Sequence, residues 1–268
     1  MQKEVKHPLT LGVNIDHVAV LREARKVNDP DLLQALNIAT TSGADQITIH
    51  LREDRRHIHD EDLVNIIKHS RVPVNLECSI DDKILQIVCD AQPHRVTLVP
   101  EKREEVTTEG GLDVFGQEER IAAAIEMLHD FLIPVSLFID PTVEAVIQAK
   151  HLNAEMIELH TGEYANVYAM LHSNLSHSHH SIKELELPRY ELQGKLESAY
   201  EMLENASKKG IKENLIVAAG HGLNYHNVKA IVSINEISEL NIGQSIIARS
   251  VFSGLESAVK EMKVLCTR

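Results

Sequence analysis

Ionisable and amide side chains recur at the ends of short β-rich runs in this chain: Asn14 and Asp16, His50, Asn75 and Glu77, Asp140, Glu158 and His160, Asn241. Within each run they alternate with apolar residues such as Val13 and Ile15, Ile47 and Ile49, Val74 and Leu76, Ile157 and Leu159. Alternation puts the two sets on opposite faces of a strand. If the apolar set packs under helices, the polar set shares an interior, and its most ionisable members gather at the C-terminal strand ends. Leaving a buried polar group unpaired costs roughly 1–3 kcal/mol. Such a set is therefore either a self-satisfied packing network or a site for acid–base chemistry, and its contribution from many strands to one end favours the site.

The elements that must position these groups follow a rhythm. Eight β-rich runs are expected at Leu11–Asp16, Gln46–His50, Val74–Glu77, Arg95–Val99, Val135–Asp140, Met156–His160, Leu215–Ala219 and Glu239–Ile242. Helix punctuation lies between them: Asp29-Pro30 before a segment ending at Gly43, then Asp60, Asp81 and Asp140-Pro141-Thr142. Strand then helix, eight times, predicts an α/β chain folded as a (β/α)₈ TIM barrel, one domain over residues 1–268. An open doubly wound sheet is the alternative, and no GxGxxG or GxxxxGK[ST] run favours it.

Two stretches interrupt the rhythm. Residues 100–117 exceed the ~2–6 residues of an ordinary βα loop and read as a lid. Residues at about 163–188, with His172, His177, His179 and His180 among serines, read as a surface insertion between strands 6 and 7. A helix is expected to resume near Arg189. The histidines there lack an i,i+4 pair with carboxylates in step, so a solvated segment is preferred over a metal site.

Two further motifs concern anions. From His50 to His57 seven of eight residues are ionisable, and Arg52 and His57 could meet an anion above the barrel. Gly220-His221-Gly222 and Asn241-Ile242-Gly243-Gln244 follow strands 7 and 8, the frequent phosphate position in this architecture. Lysine is absent from the inward strand set, so a Schiff base on the protein has no obvious residue, with Lys102 left open. Cys78 sits on the helix-facing register, as a core thiol rather than a nucleophile.

Composition narrows the partners. Forty acidic against 27 basic residues give −13, and nine aromatics without Trp leave little for base stacking, so no nucleic-acid partner is expected. No run approaches a membrane span and the first residues lack an apolar signal, so a soluble cytoplasmic protein is expected. Three cysteines without metal-like spacing read as reduced thiols.

GVNIDH at 12–17, ITIHLREDRRHI at 47–58, NLE at 75–77, LVPEKREEVTTEGGLDV at 98–114, VSLFID at 135–140, AGHGLNYHNVKAI at 219–231 and ELNIG at 239–243 resemble the pyridoxine 5′-phosphate synthase family. The resemblance covers nearly the whole chain. It implies a barrel enzyme of vitamin B6 biosynthesis that condenses 1-deoxy-D-xylulose 5-phosphate with 3-amino-2-oxopropyl phosphate. The products are pyridoxine 5′-phosphate, phosphate and water, and the assembly implied is a homo-octamer built from dimers. It implies no metal and no organic cofactor. By the same resemblance His50 and Glu77 accept protons, His221 donates one, and Glu158 stabilises charge in the transition state. Asn14, Arg25, Gly222, Gly243 and Gln244 would hold the aminoketone phosphate, and Asp16, His17, Arg52, His57 and Thr107 the pentulose phosphate. Two departures stand out: Gln244 where the family commonly has His, and extra length between His160 and His221. A metal-dependent hydrolase and a non-catalytic phosphosugar-binding barrel are the rival readings.

Overall fold

The computed structural model of the chain describes residues 8–101 and 110–268. Thr107 and Lys102 lie outside the described residues, as does the middle of the expected lid. Eight strands form a closed parallel barrel in sequence order: β1 (Thr10–Asn14), β2 (Gln46–His50), β3 (Val74–Cys78), β4 (Arg95–Leu98), β5 (Val135–Ile139), β6 (Met156–His160), β7 (Ile216–Gly220) and β8 (Glu239–Ile242). The pairing of β1 with β8 closes the ring and removes the open-sheet alternative.

Every expected run is a strand, Gln46–His50, Met156–His160 and Glu239–Ile242 with the expected ends and the others shifted by one or two residues. The first stops at Asn14 because its Oδ1 accepts the Asp16 N–H at 2.8 Å, which turns the chain into helix Asp16–Glu23. The fifth stops at Ile139, so Asp140 stands just past the strand. The seventh runs one residue later than expected and takes in Gly220. Of the expected caps, Asp81 accepts from Lys83 and Ile84 N–H and Thr142 from Ala145 N–H, whereas Asp31 and His59 take the roles expected at Asp29-Pro30 and Asp60.

The apolar set does face the helices: Val13, Ile47, Ile49, Val74, Leu76, Leu137, Ile157 and Leu240 are each fully buried in one continuous core. Cys78 belongs to the same face, and burial pushes its thiol up, as a core thiol requires.

The interior divides into two layers. Towards the N-terminal strand ends, Arg95 donates to Glu239 Oε1 (2.6 Å), Gln46 Oε1 (2.9 Å) and Asn75 Oδ1 (3.1 Å). Thr97 donates to Asn75, and Asn241 donates to Glu158 Oε2 at 2.7 Å. This lower layer is a hydrogen-bonded network that Asn241 joins to Glu158 above it, with Asn75 Nδ2 left without a partner among the described residues, and Gln46, Arg95, Thr97 and Glu239 join the inward residues expected from sequence. Gly220 leaves the room that Glu158 fills, since a Cβ there would stand 2.2 Å from Glu158 Oε1.

The 163–188 stretch is more ordered than a solvated insertion. Gly162–His172 is a helix burying Tyr164, Ala165, Val167, Met170 and Leu171. The irregular part is residues 173–188, with two short 3₁₀ turns, before helix Arg189–Lys212. Leu175, Ile182, Leu185 and Leu187 from it cover Val167, Met170, Leu171 and Leu192. The serines and histidines masked this apolar spacing in the sequence.

Candidate active site

The upper layer is open. Asp16 closes the β1 side of it: Asn14 Nδ2 donates to Asp16 Oδ2 at 3.0 Å, and the His50 N–H donates to Asp16 Oδ1 at 3.0 Å. Asp16 thereby ties the ends of β1 and β2 together. His50 and Glu77 are register partners on β2 and β3. Gly243 begins the turn after β8 with its backbone against Asn14, where a Cβ would come within 2.8 Å of the Asn14 Cβ. The contributors from strands 1, 2, 3 and 8 are thus joined.

Opposite them stand Glu158, buried at 3% exposure, and a ring cluster from β5, β6 and the β7 turn. His160 packs edge-on against Phe138 (5.0 Å) and His221 (4.9 Å). Asp140 Oδ1 lies 3.6 Å from His160 Nδ1, in ion-pair range and longer than a hydrogen bond, and accepts the Gly111 N–H at 2.8 Å. Phe138 was absent from the residues named from sequence, although its position between Ser136 and Asp140 on the inward register could have found it.

These groups leave their ordinary titration ranges. Loss of solvation takes His50 down to about 3, helped by Arg52 and His57. Burial holds Glu77 well above the usual carboxylate range, reinforced by the negative charges of Glu158 and Asp16. Burial raises Glu158 to about 7 against the opposing hydrogen bond from Asn241. His221 is exposed at the rim, yet the protein packed around it strips enough solvation, with His160 and His17 adding positive charge, to bring it to about 4. Burial thus favours the uncharged form of all four groups, two imidazoles facing two carboxyls. Among the described residues, buried His50 Nε2 has no hydrogen-bond partner, which leaves it available to a ligand.

The remaining expected residues that the structure describes lie past the C-terminal ends of their strands. Arg52 is 9% exposed, with Nε 3.5 Å from Glu101 Oε1, and Glu101 also accepts the Glu53 N–H at 2.8 Å. Sequence pattern gives Glu101 no role, because its charge facing Arg52 is visible only in three dimensions. His17 and His57 are half-buried, Gly222 follows His221 with φ +80°, and Gln244 is exposed at the first residue of helix Gln244–Ser253. Arg25 lies exposed in the turn after helix Asp16–Glu23. Among the described residues, no group of three or more His, Cys, Asp or Glu side chains is arranged to hold a metal ion.

Comparison with known proteins bears on the fold and the family. Solved structures with the same architecture include a 3-hexulose-6-phosphate synthase (TM-score 0.57, 15% identity, 96% of this chain and 99% of that one) and a phosphoribosylanthranilate isomerase from Thermotoga maritima (TM-score 0.56, 13% identity, 96% and 98%). At that identity they speak for the barrel alone. Sequence relatives are much nearer. Pyridoxine 5′-phosphate synthase of Sulfurimonas denitrificans is 70% identical over 260 residues, covering 97% of this chain and all of that protein. The protein of the same name from Nitratiruptor sp. is 64% identical, covering 95% and 96%. Residues 11–268 match the family described as Pyridoxal phosphate biosynthesis protein PdxJ, and with relatives this near over the full barrel, the chain belongs to that family.

Proposed function

We propose that this chain is a pyridoxine 5′-phosphate synthase of vitamin B6 biosynthesis, joining 1-deoxy-D-xylulose 5-phosphate to 3-amino-2-oxopropyl phosphate. The observation that carries the reading is the gathering of acid–base groups around one barrel mouth: His50 4.0 Å from Glu77, with buried Glu158 and the His160–His221 ring pair opposite them. The reaction needs several proton transfers around one ligand. Amine adds to ketone, the carbinolamine loses water, phosphate is eliminated, and an aldol-type closure with a last dehydration completes the pyridine ring.

In this reading His50 and Glu77 accept protons. His50 offers its unpartnered Nε2, and burial makes the Glu77 carboxylate a stronger base once its proton has left. His221 donates: once protonated it releases its proton readily, and a dianionic phosphate entering beside it favours the protonated form. Glu158, fixed by Asn241, stabilises positive charge developing on the substrate nitrogen. Asn14, Arg25, Gly222, Gly243 and Gln244 bind the aminoketone phosphate, and Asp16, His17, Arg52, His57 and Thr107 the pentulose phosphate. The turn at Gly243 and the start of helix Gln244–Ser253 supply backbone donors for the former.

The working form is a cytoplasmic homo-octamer built from dimers. The outward side chains of Val251, Phe252 and Val264, each more than two-thirds exposed, support burial between subunits. We also read residues 1–268 as one domain with 173–188 as its surface excursion. Incubating the purified protein with both phosphates and following a pyridine product by absorbance and mass tests the activity. A product at the mass of pyridoxine 5′-phosphate is expected.

A further inference from the structure

After β7 the chain takes φ +78° at His221 and +80° at Gly222. Left-handed backbone is free for glycine but strained for a residue with a side chain, and such strain persists only where the surroundings hold it. A glycine at 221 would relieve it. Fold stability alone therefore argues against an imidazole at this position, and something must hold the turn so that the ring can be there.

Thr161 does so. It is wholly buried just past the end of β6. Its N–H donates to the Gly220 carbonyl at 2.9 Å. Its Oγ1 lies 2.7 Å from the Gly220 oxygen and 2.5 Å from the His221 oxygen. One hydroxyl carries one proton, which lies between these two carbonyl oxygens; the Gly220 oxygen keeps the Thr161 amide as donor when the hydroxyl turns to the His221 carbonyl. Asn227, 1% exposed, holds the other side of the turn by donating from Nδ2 to the Gly222 oxygen at 3.1 Å. Asn227 is itself anchored where its carbonyl accepts the Tyr164 hydroxyl at 2.9 Å. The His160 ring, one residue before Thr161, completes the hold by meeting the His221 ring edge-on.

We infer that Thr161 is a positioning residue for His221, its hydroxyl locking the strained turn that presents the imidazole at the barrel mouth. The inference rests on the proposed role of His221 as proton donor. Valine matches threonine in shape but lacks the hydroxyl, so the His221 carbonyl would lose its donor and the turn could relax away from its left-handed geometry. Serine keeps the donor.

The test is a cycle of Thr161→Val, Thr161→Ser, His221→Gln and the Val/Gln double variant, each assayed for kcat and for KM of both phosphates. Misplacing a reacting group by about 1 Å can cost ~10²-fold, so Thr161→Val should lower kcat by ~10-fold or more with both KM values nearly unchanged. Thr161→Ser should restore most of the turnover. Because Thr161 acts through His221, Thr161→Val should cost nothing further in the His221→Gln background. An equal loss in both backgrounds would make Thr161 general support and overturn the inference, as would full turnover in Thr161→Val. Should the valine variant fail to fold, Thr161→Ala is read by the same criteria. If His221→Gln alone keeps wild-type turnover, the donor role of His221 falls first, and the inference with it.

Discussion

His50 Nδ1 lies 4.0 Å from Glu77 Oε2, directly across the register of β2 and β3. A basic and an acidic group are thus held side by side without a hydrogen bond between them, each free to exchange a proton with a ligand above. Burial drives both towards the uncharged form, the imidazole down and the carboxyl up.

Glu77→Gln keeps the size and hydrogen-bonding capacity of the side chain and removes its proton chemistry. It should fold, bind both phosphates nearly normally by calorimetry, and lose at least ~100-fold in turnover. Near-normal turnover would reduce Glu77 to a structural neighbour of His50.

Stability should carry opposite pH slopes from the two kinds of group. His50 titrates at about 3 in the folded chain against an ordinary 6.5, so the unfolded chain binds the extra proton. Its contribution is present above pH 6.5 and is lost as pH falls towards 3. Glu158, at about 7 against 4.5, does the reverse: its contribution is present below 4.5 and is lost as pH rises through 7. Each proton amounts to up to about 1.4 kcal/mol per pH unit. Relative to wild type, His50→Gln should gain stability as pH falls from 6.5 towards 3, and Glu158→Gln as pH rises from 4.5 to 7. Denaturant midpoints across pH 3.5–8 check both, and parallel curves for wild type and either variant would contradict the shift assigned to that residue.

Much of this was legible beforehand. Strand alternation identified Asn14, His50, Glu77 and Glu158 as inward, because one buried face leaves period-two patterning no freedom of register. It gave no means of separating the lower network from the upper site, since Arg95 and Glu239 meet across 144 residues of chain. Thr161 was invisible for a similar reason: its partner is a backbone carbonyl, which no side-chain pattern records.

The Gly110-Gly111 pair reads from sequence as flexible backbone beside a lid. Gly111 instead packs against the end of β5, where a Cβ would come within 2.3 Å of the Asp140 nitrogen and 2.5 Å of the Ile139 carbonyl carbon. Gly111→Ala should therefore lower thermal stability together with turnover, by an overpacking cost of ~1–3 kcal/mol. A Cβ at Gly110 comes nearest to the Asp140 carboxylate, at 3.2 Å, so Gly110→Ala should be milder. Thermal melts of the two single variants separate close packing from flexibility; equal melts would favour flexibility.

Replacing residues 174–186 with a short Gly/Ser linker should leave the barrel and most turnover intact, with a lower melting temperature because Val167, Met170, Leu171 and Leu192 lose their cover. Extending the replacement back to 164 removes Tyr164 and Ala165, which pack under the turn bearing His221, and should abolish turnover. Circular dichroism and assay of both deletions test this, and equal activity of the two would contradict it.

The most direct test of the assigned chemistry is stoichiometry. With both phosphates supplied and divalent metal removed by chelation, the protein should release one inorganic phosphate for each pyridine ring formed. Phosphate release without a ring, or ring formation only after metal is restored, would contradict the account.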